Sequence, residues 1–233
     1  MLELEGITAG YGDTVVLRDV SLSVPDSGVV ALLGPNGAGK TTTLRAASGL
    51  IKPIGGRVLL DGENVTGLKP YAMARRGLCH LPEGHGIFPS LTVKENIVLN
   101  SPKGKEKESL VRAGDQFPVL AARLKQQAGS LSGGEQQMLS LARTYLTNPR
   151  IVVVDEASLG LSPILVDQVF DVLRQIVAGG TAVLLVEQYV TRALELADTA
   201  YIMNRGQVVY SGAAAGLQGE EVFERYLGIE VGP

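Results

Sequence analysis

The sequence predicts an α/β protein built on a mostly parallel sheet, with an antiparallel β patch toward its N-terminal end and an inserted helical subdomain. Three observations carry this. An apolar strand-length run, Val29-Val30-Ala31-Leu32-Leu33, enters a glycine-rich loop, and a helix-forming run, Thr41 to Gly49, leaves it. From Ile151 onward, buried-strand runs alternate with helical patterns, as in a parallel α/β core. Between roughly Leu91 and Asn148 such strand runs are lacking and the pattern is mostly helical.

Taken in chain order, Leu2 to Glu5, Val15 to Val24 and Arg57 to Leu60 read as strands. The turn signals Tyr11-Gly12-Asp13 and Asp61-Gly62 separate them, which suggests the antiparallel patch. The loop Gly34-Pro35-Asn36-Gly37-Ala38-Gly39-Lys40-Thr41 fits the phosphate-binding pattern G-x-x-x-x-G-K-[ST] without mismatch, so the core is expected to be that of a P-loop NTPase. Its glycines let backbone N–H groups turn toward a phosphate, and the helix behind it adds roughly half a positive charge. Lys40 is expected to reach the β- and γ-phosphates of ATP and the Thr41 hydroxyl to ligate Mg²⁺, with Thr42 in the same cradle.

In the middle of the chain, Lys103 to Glu108 mixes charges of both signs and reads as a solvated loop. Leu131-Ser132-Gly133-Gly134-Glu135-Gln136-Gln137 contains a capping box, Ser132 with Glu135. The helix it opens carries Met138, Leu139, Ala142, Tyr145 and Leu146 on one face, and Asn148-Pro149 closes it. Ser132, Gly133 and Gly134 also supply a hydroxyl, bare N–H groups and a helix dipole, the parts of a second phosphate cradle. One ATP needs only one such loop, so a second makes sense if it serves another subunit's nucleotide.

Ile151-Val152-Val153-Val154 runs into Asp155-Glu156, placing two carboxylates at the tip of a central strand, where ligands of open α/β sheets bind. Asp155 suits the Mg²⁺ shell, and Glu156 suits orienting and deprotonating an attacking water. Ser162-Pro163 then starts a helix with an apolar face of Leu165, Val169, Val172, Leu173 and Ile176. Gly179-Gly180 ends it, and Thr181 to Val186 is the next buried strand.

Bulk properties exclude several classes. The 233 residues suit one large domain or a core with a subdomain, and the net charge of −3 gives no electrostatic case for nucleic acid. Cys79 is the single cysteine and His80 and His85 are the two histidines, which argues against a disulfide or a zinc site. The start lacks a signal-peptide pattern and no apolar run is long enough to span a bilayer. The expectation is a soluble cytoplasmic protein that would reach a membrane only through other subunits.

The run Leu131 to Gln137, with the order phosphate loop, then this run, then Asp155-Glu156, resembles the ATP-binding cassette (ABC) ATPases over essentially the whole chain. The resemblance implies a single cassette, residues 1–233. Residues 1–90 and 149–233 would form the nucleotide-binding core and residues 91–148 the helical subdomain with the signature. It implies head-to-tail dimers with a second cassette, homo- or heterodimeric, in which Ser132 closes on the partner's ATP. It places the adenine-stacking aromatic on Tyr11, in a stretch that includes Val16, and the dimer-contact loop on Ser158-Leu159-Gly160-Leu161.

Two positions depart from the family. Glu83 stands where a glutamine is usual, and can approach Mg²⁺ or a water with a charge; Gln188 stands where a histidine is usual, and can contact a γ-phosphate without titrating. Either the ATPase is crippled, or Glu156 suffices as base while Gln188 only positions; the presence of Lys40, Asp155, Glu156 and Ser132 favours the second. Pro82-Glu83-Gly84, Ile87 to Val93, Leu185 to Gln188 and Tyr226-Leu227-Gly228 are similar to one branch, the second cassette of branched-chain amino-acid importers. Ala157 and His85 differ from that branch, and urea or short-amide importers resemble it closely. The implied partners are two membrane-spanning permease subunits and, indirectly, a solute-binding protein, with the cassette peripheral on the inner face of the membrane. Other classes fit less well. A soluble ABC protein acting on ribosomes or DNA usually needs two cassettes, coiled coils or zinc cysteines. A small-molecule kinase leaves Leu131 to Gln137 unexplained. An inert regulatory cassette is separable by an ATPase assay.

Overall fold

The computed structural model describes residues 1–84 and 86–217. The chain opens with a hairpin, β1 (Leu2–Tyr11) and β2 (Thr14–Val24), followed by β3 (Val29–Leu33), α1 (Lys40–Ala47), β4 (Gly55–Leu60), β5 (Glu63–Asn64), α2 (Pro70–Arg75) and β6 (Leu78–Leu81). Four helices come next: α3 (Val93–Leu99), α4 (Glu106–Gln116), α5 (Pro118–Ala121) and α6 (Gly133–Thr147). The remainder is β7 (Ile151–Asp155), α7 (Pro163–Ala178), β8 (Ala182–Val186), α8 (Val190–Leu196), β9 (Thr199–Asn204) and β10 (Gln207–Ala213).

Two sheets result. One is antiparallel, in the order β2-β1-β4-β5; the other runs β10-β9-β3-β8-β7-β6. In the second, β9, β3, β8, β7 and β6 are parallel to their neighbours and only β10 runs antiparallel. The central strands β3, β7 and β8 are buried at every position, which explains their unbroken apolar runs. Side chains alternate between two cores. Val30, Leu32, Val153 and Leu184 pack toward α1 and the antiparallel sheet, whereas Ala31, Leu33, Val152 and Leu185 pack toward the helices on the other face.

Several local readings are refined. Helix α4 starts inside the mixed-charge stretch that reads as a loop; Glu106 and Glu108 sit in its first turn, and the Glu106 carboxylate accepts the Gly104 N–H at 3.0 Å. Strand β4 begins at Gly55, two residues before the expected start. Strands β6, β9 and β10 carry no clear signal of their own: β6 is a four-residue edge strand whose Cys79 and His80 interrupt the apolar pattern. Ser162 is the N-cap of α7, but its side chain makes no capping bond; Pro163 at the first turn remains the start signal.

Candidate functional site

Strands β6, β7, β8 and β3 are adjacent and parallel, so their C-terminal ends share one edge. The chain places a candidate residue just beyond each of them: Glu83 after β6, Glu156 after β7, Gln188 after β8 and Gly34 after β3. That topology gathers residues far apart in sequence. Val16, Asn36, Gly37, Gly39, Lys40, Thr41, Thr42, Glu83, Glu156 and Gln188 line one cleft of about 580 Å³. Leu159, which the family resemblance puts in a dimer-contact loop, lines it too.

The loop between β3 and α1 has the geometry of a cradle. Gly34 and Gly39 adopt φ of 149° and 106°, and a Cβ at either would meet the Met203 carbonyl oxygen at 2.3 Å or the Leu17 side chain at 2.8 Å. Only glycine allows this path. Ala38 is buried beneath the loop, while Pro35, Asn36 and Gly37 are exposed on its outer turn. The Lys40 ammonium donates to the carbonyls of Gly34 (2.9 Å) and Pro35 (3.2 Å), so the cation is held across the loop. Burial pulls its pKa below the usual lysine range, opposed by the carboxylates of Glu156 and Asp155.

Under the cleft, the Thr41 hydroxyl donates to Asp155 Oδ1 at 3.0 Å, joining the start of α1 to the end of β7. Burial pushes the Asp155 carboxyl above its ordinary range. The Thr41 bond opposes this, and the negative charges of Glu156 and Glu83 add to it. The hydroxyl and carboxylate oxygens of this pair are of the kind a hard cation takes when it arrives with phosphate oxygens. Among the described residues no cluster of three or more His, Cys, Asp or Glu forms a metal cage by itself.

Tyr11 stands apart. It is exposed and lines a neighbouring hollow with Arg45, His80, Glu83 and Asp155 rather than the cleft itself. Arg45 donates to its hydroxyl at 3.0 Å and lies 6.0 Å from the ring centroid. Sequence reasoning missed Arg45, although its position four residues after Thr41 on α1 puts it on the same helix face.

Ser132, Gly133 and Gly134 also lie away from the cleft of their own chain. Ser132 caps α6: its hydroxyl accepts from the Glu135 N–H at 3.4 Å, and the Ser132 N–H donates to Glu135 Oε2 at 2.9 Å. Ser132 and Gly133 are exposed, and a Cβ added at Gly133 would meet nothing within 4 Å. Among the described residues, no packing contact calls for glycine at that point. Glu187 was the main omission of sequence reasoning: it is 2% exposed and bonded to Ser158. His85 and the ending Tyr226-Leu227-Gly228 lie outside the described residues.

The comparisons with known proteins agree with this geometry. Residues 17–159 match the ABC transporter family. The chain is 37% identical to the high-affinity branched-chain amino acid transport ATP-binding protein BraG of Pseudomonas aeruginosa, covering 98% of this chain and all of that protein. It is 33% identical to the lipopolysaccharide export system ATP-binding protein LptB of Haemophilus influenzae, over 98% of this chain and 97% of the relative. The crystal structure of an ABC transporter cassette in its ADP conformation superposes with a TM-score of 0.81 at 28% identity, over 98% of this chain and 94% of that one. With a phosphate loop, an acid pair and a whole-length match to ATP-binding subunits, the chain belongs to the ABC transporter family and is one of its ATP-hydrolysing subunits.

Proposed function

We propose that this chain energises the uptake of branched-chain, hydrophobic amino acids by an ABC importer whose permease subunits are separate chains. The single observation that carries its chemistry is the cleft in which Lys40, Thr41, Glu83, Glu156 and Gln188 converge over Asp155. In this reading the loop N–H groups from Gly34 to Thr41 and the Lys40 ammonium hold the phosphates of ATP, and Thr42 completes the cradle. Thr41 and Asp155, with Glu83 nearby, hold Mg²⁺, which would supply charge neutralisation on the phosphates. Glu156 takes the proton of the attacking water, and Gln188 donates to the γ-phosphate. Val16 and Tyr11 face the base and sugar side.

The exposed cap at Ser132 and Gly133, with open space at Gly133, supports a second role: closing over the nucleotide of a second cassette. Residues 91–148, as a helical subdomain, would relay that closure to the permeases together with the Glu83 loop. Among the described residues no helix is long and apolar enough to cross a membrane; peripheral attachment at the inner, cytoplasmic face rests on similarity to BraG. The transport of branched-chain amino acids rests on similarity to BraG across the whole chain. Similarity to LptB favours a second reading, coupling to an export machine.

Purification of the tagged chain from detergent-solubilised native membranes separates them. Two permease subunits with a different second cassette, giving a complex that binds leucine-class solutes through a solute-binding protein, support the importer. Copurification with lipopolysaccharide-export components, or with soluble proteins alone, overturns it.

A further inference from the structure

Glu187 has no part in the roles above, yet it is among the most buried acids of the described chain. It follows β8 directly and is 2% exposed, and its partner Ser158 is fully buried. The Ser158 N–H donates to Oε1 at 3.1 Å, and the Ser158 hydroxyl donates to Oε2 in a shorter contact. A buried carboxylate is costly unless its oxygens are satisfied, and here both are met by Ser158, on the turn that follows β7 across the cleft edge.

One of those turns is strained. Glu156 has φ of 47°, a left-handed conformation that a residue with a side chain adopts only when its surroundings hold it there. The Glu156 N–H donates to the Val186 carbonyl at 2.9 Å, and two residues later Ser158 is fastened to Glu187. The strained residue is therefore bracketed on both sides by bonds to the end of β8, and the next residue after Glu187 is Gln188. Beyond the bracket, Leu159 and Gly160 are exposed.

We propose that Glu187 is a positioning residue whose carboxylate locks the Glu156 turn to the Gln188 turn, so that the two cleft groups move as one unit and a displacement of the exposed Leu159–Gly160 segment reaches Gln188. The inference rests on the reading of Glu156 as base and Gln188 as phosphate contact.

The test uses Glu187→Met, Ser158→Ala and the double variant in the full chain. Methionine is close to glutamate in length and carries no charge, but it leaves the buried Ser158 N–H and hydroxyl without their acceptor, which lowers stability. The readouts are kcat and KM for MgATP, equilibrium ATP affinity and the melting temperature. The expected result is a kcat about 10- to 100-fold lower in Glu187→Met, as for misplacement of a catalytic group by about 1 Å. ATP affinity stays close to that of the parent, while the melting temperature falls by several degrees from the unsatisfied Ser158 donors. Ser158→Ala lowers kcat in the same sense, and the double variant is no worse than Glu187→Met alone, because both remove one link. If Glu187→Met does not fold, Ser158→Ala carries the test on its own. Unchanged kcat in a folded variant, a change confined to KM, or strictly additive losses would overturn the proposal. A Glu156→Gln control that keeps full turnover would instead overturn the base assignment beneath it, so the two failures are distinct.

Discussion

The two glycine-bearing helix starts of this chain, at α1 and at α6, differ in what surrounds them. The loop before α1 is closed in: Gly34 and Gly39 are forced by close neighbours, and Lys40 and Thr41 are already bonded to the loop and to Asp155. The start of α6 is open. Ser132 and Gly133 face solvent, and the Ser132 side chain is engaged in a capping box. An arrangement preorganised by its own chain suits binding a phosphate unaided. A cap whose glycine answers no packing contact among the described residues suits completion from outside. The same elements, backbone N–H groups and a helix dipole, thus stand in one closed setting and one open setting, the latter being the proposed half-site.

The sharpest way to break this comparison is at the closed end. Glu156→Gln keeps size and hydrogen bonding but removes the proposed base, and turnover is expected to fall about 100-fold or more while ATP affinity persists. Steady-state phosphate release checks it; retained turnover would mean that the closed end binds nucleotide without supplying the base. The next largest effect belongs to the open end. Ser132→Asp preserves an N-cap, since aspartate caps as well as serine, so the melting temperature is expected to hold. It also sets a negative charge where the other subunit's phosphates would lie. Hydrolysis at concentrations that allow dimerisation is expected to fall at least tenfold, with ATP binding by the monomer unchanged. If hydrolysis follows the parent, Ser132 is a cap and nothing more.

The comparison also explains what was legible in the sequence. The closed end is written in consecutive residues: Gly34 to Thr41 form one loop, and Val154-Asp155-Glu156 form one strand tip, so pattern and position coincide. The capping box of α6 is likewise local, with Ser132 and Glu135 three residues apart. What was not legible depends on the strand order. Glu187 meets Ser158 only because β7 and β8 are parallel neighbours, and no spacing in the chain announces a bond between residues 29 apart. Strand β6 was missed because it is short and lies at the edge, where two polar-leaning residues, Cys79 and His80, are tolerated between Leu78 and Leu81. The start of α4 was missed because charge reads as solvation, whereas acids in a first turn also stabilise a helix.

The smallest expected effect sharpens what the closed end demands of its ligand. Glu83 is exposed at the cleft, and its charge acts on Asp155, so together with Glu156 three carboxylates face a phosphate site whose nearest cation is Lys40. A nucleotide without a divalent cation brings its full negative charge against them, whereas MgATP brings roughly half of it. Replacing Glu83 by glutamine removes one repulsive charge at similar shape. Because Glu83 is exposed, a dielectric close to that of water applies, and there a unit charge about 4 Å away is worth about 1 kcal/mol. Glu83→Gln is therefore expected to bind ATP in EDTA about fivefold more tightly, with a smaller change for MgATP. Titration of a fluorescent ATP analogue with and without Mg²⁺ measures both. Equal changes in the two conditions would show that Glu83 acts on the loop's shape rather than through its charge. No change in either would place its carboxylate outside the field of the phosphates, leaving Lys40 to set the charge balance of the cleft with Asp155 and Glu156 alone.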